Sequence, residues 1–296
     1  MIDKLEMFIA LAHEQHFGRA AEECGVTQPT LSAGIKQLED QLGVMLVWRG
    51  SRFQGLTPEG QRVLDWARRI VADSRAMRAE MRAARQGLSG NLRLAVIPTA
   101  LSTVERLTTP FRTRHPNVRF SIYSRSSAEI LAMLDDLEAE AGITYLDNEP
   151  LGRVASVPLY RERYMAVAPE GGPLAGRARL GWAELADLPL ALLTPDMQNR
   201  RIVNQHMAEA GRTADPVLEA SSVVTLVSHV RAGGLATVLP SRLAELFGAM
   251  GGLQSVPLVA PEAEHLIGLV APERDPTTPV IAALLDQARK VSECGG

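Results

Sequence analysis

The sequence predicts an α/β protein in three parts: an all-α N-terminal region, a long linker helix and a two-lobed α/β module. Three observations carry this. Apolar residues recur at helical spacing through the first 46 positions. Residues 58 to about 87 run without Gly or Pro beyond the first turn. From residue 91 onward, short apolar runs alternate with helical patterns, the signature of strand–helix units. A chain of 296 residues suits two or three domains.

Leu5, Phe8, Ile9 and Ala12 predict the first helix. Phe17, Ala20, Ala21 and Cys24 place a second apolar stripe, and Gly25 supplies the positive φ that ends it. Thr27 is a good N-cap, and Pro29 is tolerated in the first turn of the helix that follows. Leu31, Ile35, Leu38 and Leu42 form its inward stripe. Gln28, Thr30, Ser32, Ala33 and Lys36 face outward, with side chains suited to base edges and phosphates. An ordinary amphipathic hairpin shares this periodicity. The segment WRGSRFQGLTPEG adds a short wing with bends at Gly50 and Gly55 and with Arg49 and Arg52 along it. Thr57 and Pro58 then open a new helix. A winged helix-turn-helix uses all of these features. Its candidate DNA contacts are Gln28, Pro29, Thr30, Ser32 and Lys36, with Arg49 and Arg52 on the backbone or minor groove.

Along the long helix, Leu64, Ala67 and Val71, then Met77, Met81, Ala84 and Leu88, follow 3/4 spacing with one slip. That pattern predicts a helix pair across a two-fold axis; a charged solvent-exposed spacer is the alternative. The dimerisation candidates are Leu64, Ala67, Val71, Met77 and Met81. Gly87, Ser89 and Gly90 read as a hinge.

Strands are expected at 92–97, 118–123, 141–144, 154–160, 164–169, 188–194, 217–220, 235–240 and 265–271. Helices are expected at 99–114, 126–138, 197–210, 222–232 and 278–292. The alternation implies mostly parallel sheets in two series, joined by crossing strands near 160–164 and 262–267. Ligands in such sheets lie at strand carboxyl ends and helix N-termini. The candidates there are Pro98, Thr99 and Ala100; Ser126 and Ser127; Thr194, Met197 and Gln198; and Ser221, Ser222 and Val223. Capping explains each hydroxyl singly. Together they predict a polar cleft for a small anion or carboxylate, with Arg125 and the Asn199–Arg201 run as nearby cation sources.

Composition narrows the classes. Net charge is −3, and residues 1–87 hold 12 Lys/Arg against 11 Asp/Glu, so a nucleic-acid role rests on where the cations sit. No apolar run approaches the ~20 residues of a membrane span, and the N-terminus has no signal-peptide pattern, so a cytoplasmic protein is expected. Cys24 and Cys294 form no metal or disulfide framework; Cys24 reads as a buried structural thiol and Cys294 as an exposed tail residue. The six His are scattered, with His16 a cap or surface residue ahead of a phosphate contact. No nucleophile elbow, phosphate loop or dinucleotide fingerprint is present. No catalytic residue, metal or cofactor is therefore assigned.

The run FGRAAEECGVTQPTLSAGIKQLEDQLGVMLVWR, the LTPEG after the wing and the layout of the remaining chain resemble the LysR-type transcriptional regulators over essentially the full length. The resemblance implies a winged helix-turn-helix at 1–58, a linker helix and hinge at 59–90, and a periplasmic-binding-protein-like effector domain at 91–296. Lobe I would then hold 91–162 and 267–296, and lobe II 163–266. It implies double-stranded DNA at an inverted repeat, a small-molecule effector, RNA polymerase and a second copy of the chain as partners, with a homotetramer expected. It places effector contacts at Thr99, Ser126 and Thr194. Two departures stand out: Ala33 where many relatives carry Arg, and Arg125 where many carry Gly. A solute-binding component would leave residues 1–87 without purpose, and an enzyme would lack a catalytic constellation.

Overall fold

In the computed structural model, which describes residues 1–48, 50, 53–147 and 149–293, three of the four N-terminal helices start where a side chain satisfies free backbone groups, and the first starts without one. Helix α1 is Ile2–Glu14 and α2 is Phe17–Glu23. His16 caps α2: its Nδ1 accepts from the N–H groups of Gly18 and Arg19 at 3.1 and 3.2 Å. Gly25 takes φ 65° after α2. Helix α3 (Gln28–Leu42) begins at Thr27, whose hydroxyl accepts from the Thr30 N–H. Helix α4 (Pro58–Gln86) begins at Thr57, which accepts from the Gly60 N–H at 2.9 Å and donates to the Met45 carbonyl at 2.6 Å. A methyl group on Gly60 would lie 2.0 Å from the Leu46 carbonyl oxygen, so only glycine allows this approach. Val47 bridges Leu56 between α3 and α4, and the Trp48 N–H donates to Gly55, forming the base of a short wing. Arg49 and Arg52 lie outside the described residues.

Phe8, Leu31, Ile35 and Leu38 form the centre of the first core, each worth about 1.5–3 kcal/mol by burial. Three expectations change here. Leu42, in the last turn of α3, is 40% exposed. Cys24 is half-buried against the core, and burial raises its thiol pKa. Leu64, Ala67 and Val71 are fully buried in this same core, because α4 packs on α1 over its first half. The side chains of α4 left for a partner are Trp66, Ile70, Met77 and Met81.

The chain divides into two units. One is Met1–Ser89 with Met133–Glu138 and Arg274–Val280; the other is Gly90–Ala132, Ala139–Glu273 and Ile281–Gly296. The second unit begins with β1 (Gly90–Val96), a 3-10 helix (Pro98–Thr103), α5 (Glu105–Arg114), β2 (Val118–Ser124), α6 (Ser127–Asp135) and β3 (Ala141–Tyr145). β4 (Val154–Pro169) is followed by β5 (Leu180–Gly181), α7 (Trp182–Leu185), β6 (Ala191–Leu193), α8 (Gln198–Glu209), β7 (Leu218–Ala220) and α9 (Val223–Gly233). β8 (Thr237–Pro240), α10 (Ser241–Gly248), β9 (Leu253–Val259), β10 (Glu264–Pro272) and α11 (Pro279–Glu293) complete it. The main sheet runs β2-β1-β3-β10-β4-β9-β5, with β8 also on β4, and β6 pairs with β7.

Several elements differ from their sequence reading. The sheets are as much antiparallel as parallel, since β4 and β10 run against each other and against their neighbours as the crossing strands. The expected helix over 99–114 splits, because the Ala100 N–H bonds back to Ile97 in a tight turn and Thr103 Oγ1 donates to the Ala100 carbonyl. The two expected strands at 154–160 and 164–169 are one strand with a bulge at Leu159. The charged run Arg161–Arg163 looks like a break, yet Glu162 is buried by a hydrogen bond from Tyr145. Helix α10 and strand β9 lie outside the elements expected from the sequence, and α10 lines the candidate cleft.

Candidate nucleic-acid interface and ligand cleft

Helix α3 presents two opposed faces. Leu31, Ile35 and Leu38 lie at 0–2% exposure, while Gln28, Pro29, Thr30, Ser32, Ala33 and Lys36 are all exposed. The split follows from 3.6-residue periodicity, which puts positions 28, 32 and 36 on one line. Thr30 also holds the helix start, its hydroxyl 2.9 Å from that of Thr27. The exposed face thus carries an amide, two hydroxyls and one ammonium within about two helical turns. These groups match base-edge acceptors, base-edge donors and phosphates.

The candidate ligand cleft lies within the second unit. Pro98, Met197, Ser222 and Val223 line a cavity of about 790 Å³. Leu101, Ser102, Ser124, Arg125, Glu129 and Asp196 join them, with Leu243, Leu246 and Phe247 from α10 forming the apolar wall. Thr99, Ala100, Ser126, Ser127 and Gln198 are buried close by in the same segments. The Thr194 hydroxyl is buried without a partner, as are those of Thr99 and Ser127. Ser126 is engaged differently. Its hydroxyl donates to Glu129 Oε2 at 2.8 Å, and the same carboxylate accepts from the Ser126 N–H at 2.8 Å, a reciprocal cap on α6.

The cations near the cleft are mostly committed. Arg200 is buried and donates to the Leu193 carbonyl and Glu219, while Arg201 pairs with Glu149. Arg125 remains at the cavity wall; it donates to the Ser124 carbonyl and packs near the Tyr123 ring. Sequence reasoning missed Leu243, Leu246 and Phe247, although their 3/4 spacing was a readable helical signal.

Behind the cleft lies a buried polar network on the crossing strands. Tyr145 donates to Glu162 Oε1 at 2.7 Å, with the Tyr164 hydroxyl 3.3 Å from that of Tyr145. Glu162 is 2% exposed and its Oε2 has no partner. Burial pushes its pKa up to about 7, against the downward pull of the Tyr145 and Tyr164 hydrogen bonds. His206 and His265 approach Nε2 to Nε2 at 3.3 Å, and burial lowers the pKa of His265 while Asp147 opposes it. His13, Glu14 and Glu23 gather at the surface of the first unit, where Arg19 engages Glu14 and Glu138 engages His13.

The comparisons agree with this geometry. Residues 2–61 match the model of the bacterial regulatory helix-turn-helix protein, lysR family, and residues 85–293 that of the LysR substrate binding domain. The chain is 33% identical over 272 residues to the DNA-binding transcriptional dual regulator OxyR of Escherichia coli K12, covering 91% of this chain and 88% of that one. It is 30% identical over 290 residues to the hydrogen peroxide-inducible genes activator of Dickeya chrysanthemi, covering 98% and 95%. A full-length OxyR variant from Pseudomonas aeruginosa superposes with a TM-score of 0.75 at 27% identity, covering 98% of this chain and 97% of that one.

Proposed function

The chain belongs to the LysR family of DNA-binding transcriptional regulators with an effector-binding domain, and on that premise we propose how its parts divide the work. Residues 1–58 read the operator, 59–90 pair two copies of the chain, and 91–296 bind the effector. Gln28, Thr30, Ser32 and Lys36 contact bases and phosphates, with Arg49 and Arg52 on the flanking backbone. Two such helices in a dimer face successive major grooves of an inverted repeat, about one helical turn apart. The exposed Trp66, Ile70, Met77 and Met81 of α4 supply the apolar surface of the pairing, and a second pairing of effector domains makes a tetramer. Such a regulator works in the cytoplasm, where DNA and RNA polymerase are. Among the described residues, no helix is long and apolar enough to cross a membrane.

The observation that carries the reading is the exposed polar face of α3 above a fully buried apolar one. The test is a gel shift against the DNA upstream of its own gene. Ser32→Ala and Lys36→Ala are expected to weaken binding while leaving the oligomer intact. Unchanged affinity in both would remove α3 as the reader.

The effector is a small molecule with substantial apolar surface, seated against Leu243, Leu246 and Phe247, and Arg125 is the counterion for a single carboxylate. It shifts DNA geometry only by its difference in affinity between two lobe arrangements. The peroxide response named for the Dickeya relative is not carried over in thiol form. A peroxide sensor of that kind needs an accessible thiolate of low pKa. The two cysteines here are Cys24, raised in pKa by burial, and Cys294 at the tail, so residues 90–293 contain no thiol. Binding of a ligand, rather than oxidation of a cysteine, is the signal in this reading.

A further inference from the structure

A second cavity of about 790 Å³ lies on the other side of α10 from the first, lined by Tyr160, Arg161 and Arg163 of β4 and by Ser241, Arg242 and Glu245 of α10. We propose that it is a second ligand site, selective for a small oxyanion of carboxylate or phosphate type, and that its occupant acts on the effector cleft through the helix the two cavities share.

The charge distribution carries the first half. The effector cleft sets one guanidinium, Arg125, against Glu129 and Asp196. The second cavity holds three guanidiniums against Glu245 and Glu264, and Arg163 already neutralises Glu264. Arg161 and Arg242 form no ion pair among the described residues, although the charge of Arg242 reaches the buried Glu162 carboxyl. The Arg242 guanidinium lies over the Tyr160 ring, 4.5 Å from its centroid, which fixes its plane and leaves its N–H edge for an in-plane acceptor. A planar fork beside a second guanidinium favours two oxygens on one centre, which carboxylate and phosphate both provide. Arg161 and Arg163 share the exposed face of β4, opposite buried Glu162 and Tyr164, so the strand's alternation aims both cations the same way.

Two structural links carry the second half. Helix α10 faces the second cavity with Ser241, Arg242 and Glu245, and the cleft with Leu243, Leu246 and Phe247. The Tyr160 hydroxyl lies 3.2 Å from Thr103 Oγ1, at the end of the 3-10 helix whose Pro98, Leu101 and Ser102 line the cleft. An anion that draws in Arg242 therefore presses on both walls of the cleft. This consequence rests on the cleft reading above; the anion site itself does not.

The test is calorimetric titration of the full chain with succinate and with inorganic phosphate at constant ionic strength, with chloride as the control anion. Saturable binding of at least one of the two probes is expected, and which one binds distinguishes the carboxylate from the phosphate source. The double variant Arg161→Ala/Arg242→Ala is expected to lose at least about tenfold in affinity. Arg242→Lys, which keeps the charge and the fold but not the fork, is expected to weaken binding severalfold. Arg119→Ala and Arg177→Ala, at exposed cations outside both cavities, are expected to leave it unchanged. No saturable binding of either probe up to about 10 mM, or equal binding by the double variant and Arg242→Lys to wild type, would overturn the site. Loss of binding in Arg125→Ala together with full binding in Arg161→Ala/Arg242→Ala would place the anion in the cleft instead and overturn the proposal. Slower amide exchange across Leu243–Phe247 at saturating anion is expected from the shared helix, and unchanged exchange there would sink the coupling.

Discussion

The DNA-reading unit and the effector unit build their sites in opposite ways. In the first, the proposed working surface lies on one helix: Gln28, Thr30, Ser32 and Lys36 are exposed within nine residues, above a core that only has to hold them outward. In the second, the working surface is concave. Pro98, Arg125, Met197, Ser222 and Phe247 come from five separate segments, and no two neighbours in sequence suffice. The one-helix site tolerates change in its exposed groups and fails when its core fails. The cleft is sensitive to anything that moves one wall.

The largest expected effect breaks the first unit alone. Gly60→Ala drives a methyl group into the Leu46 carbonyl, and Phe8→Ala empties the centre of the core. Each is expected to cost about 3 kcal/mol or more. Circular dichroism melts should lose the first unit's transition, while Trp182 fluorescence in a Trp48→Phe/Trp66→Phe background, which reports the second unit alone, keeps its midpoint. A common shift of both signals would show that the two units do not melt separately.

The next effect belongs to the effector unit and is pH-dependent. The folded pKa of Glu162, about 7, lies above its ordinary 4.5. Between these values the folded chain holds a proton that the unfolded chain has released. Stability therefore falls as pH rises through this window and levels off above it, by on the order of 3 kcal/mol in all. Glu162→Gln keeps the shape and removes the charge, so its denaturant midpoint should lose this decline and keep only the opposite, rising contribution of His265, whose folded pKa burial lowers. A wild-type curve without that decline relative to the variant would contradict the buried acid.

Smaller effects separate the two functions. Lys36→Ala is expected to weaken operator binding by about 1–2 kcal/mol and to reduce the salt slope by about one, in gel shifts over a salt series. The melting of the effector unit should not change. Ser126→Ala removes a reciprocal cap, so about 1 kcal/mol of stability should go with any loss of induction. Thr99→Ala has no such cap to lose; a blunted reporter response at unchanged stability is its expected outcome, and normal induction would remove Thr99 from the effector path.

Legibility followed the same division. Every cap of the N-terminal helices that the sequence marked, at Thr27 and Thr57, is present with its hydrogen bond, because capping is decided within four residues. The outward face of α3 was readable for the same reason. The burial of Leu64, Ala67 and Val71 was not, since a stripe on a long helix has the same pattern whether its partner is α1 or a second copy. Pro98, Met197, Ser222 and Val223 of the cleft were legible as helix starts; its apolar wall was not, because α10 was never assigned.

What the sequence by itself determined is the local chemistry: the helix starts, the polar flank of the reading helix, the absence of a thiol between residues 90 and 293, and with the motif run, the family. What only the tertiary structure decided is which side chains share a space. The charged run Arg161–Glu162–Arg163 became one buried acid and two exposed cations only when β4 met β10 and Tyr145. The physical reason is range. Hydrogen bonds and periodicity within a few residues are encoded in order along the chain. The environment of a carboxylate or a guanidinium is set by segments far away in sequence, and their meeting is known only once the sheet has closed.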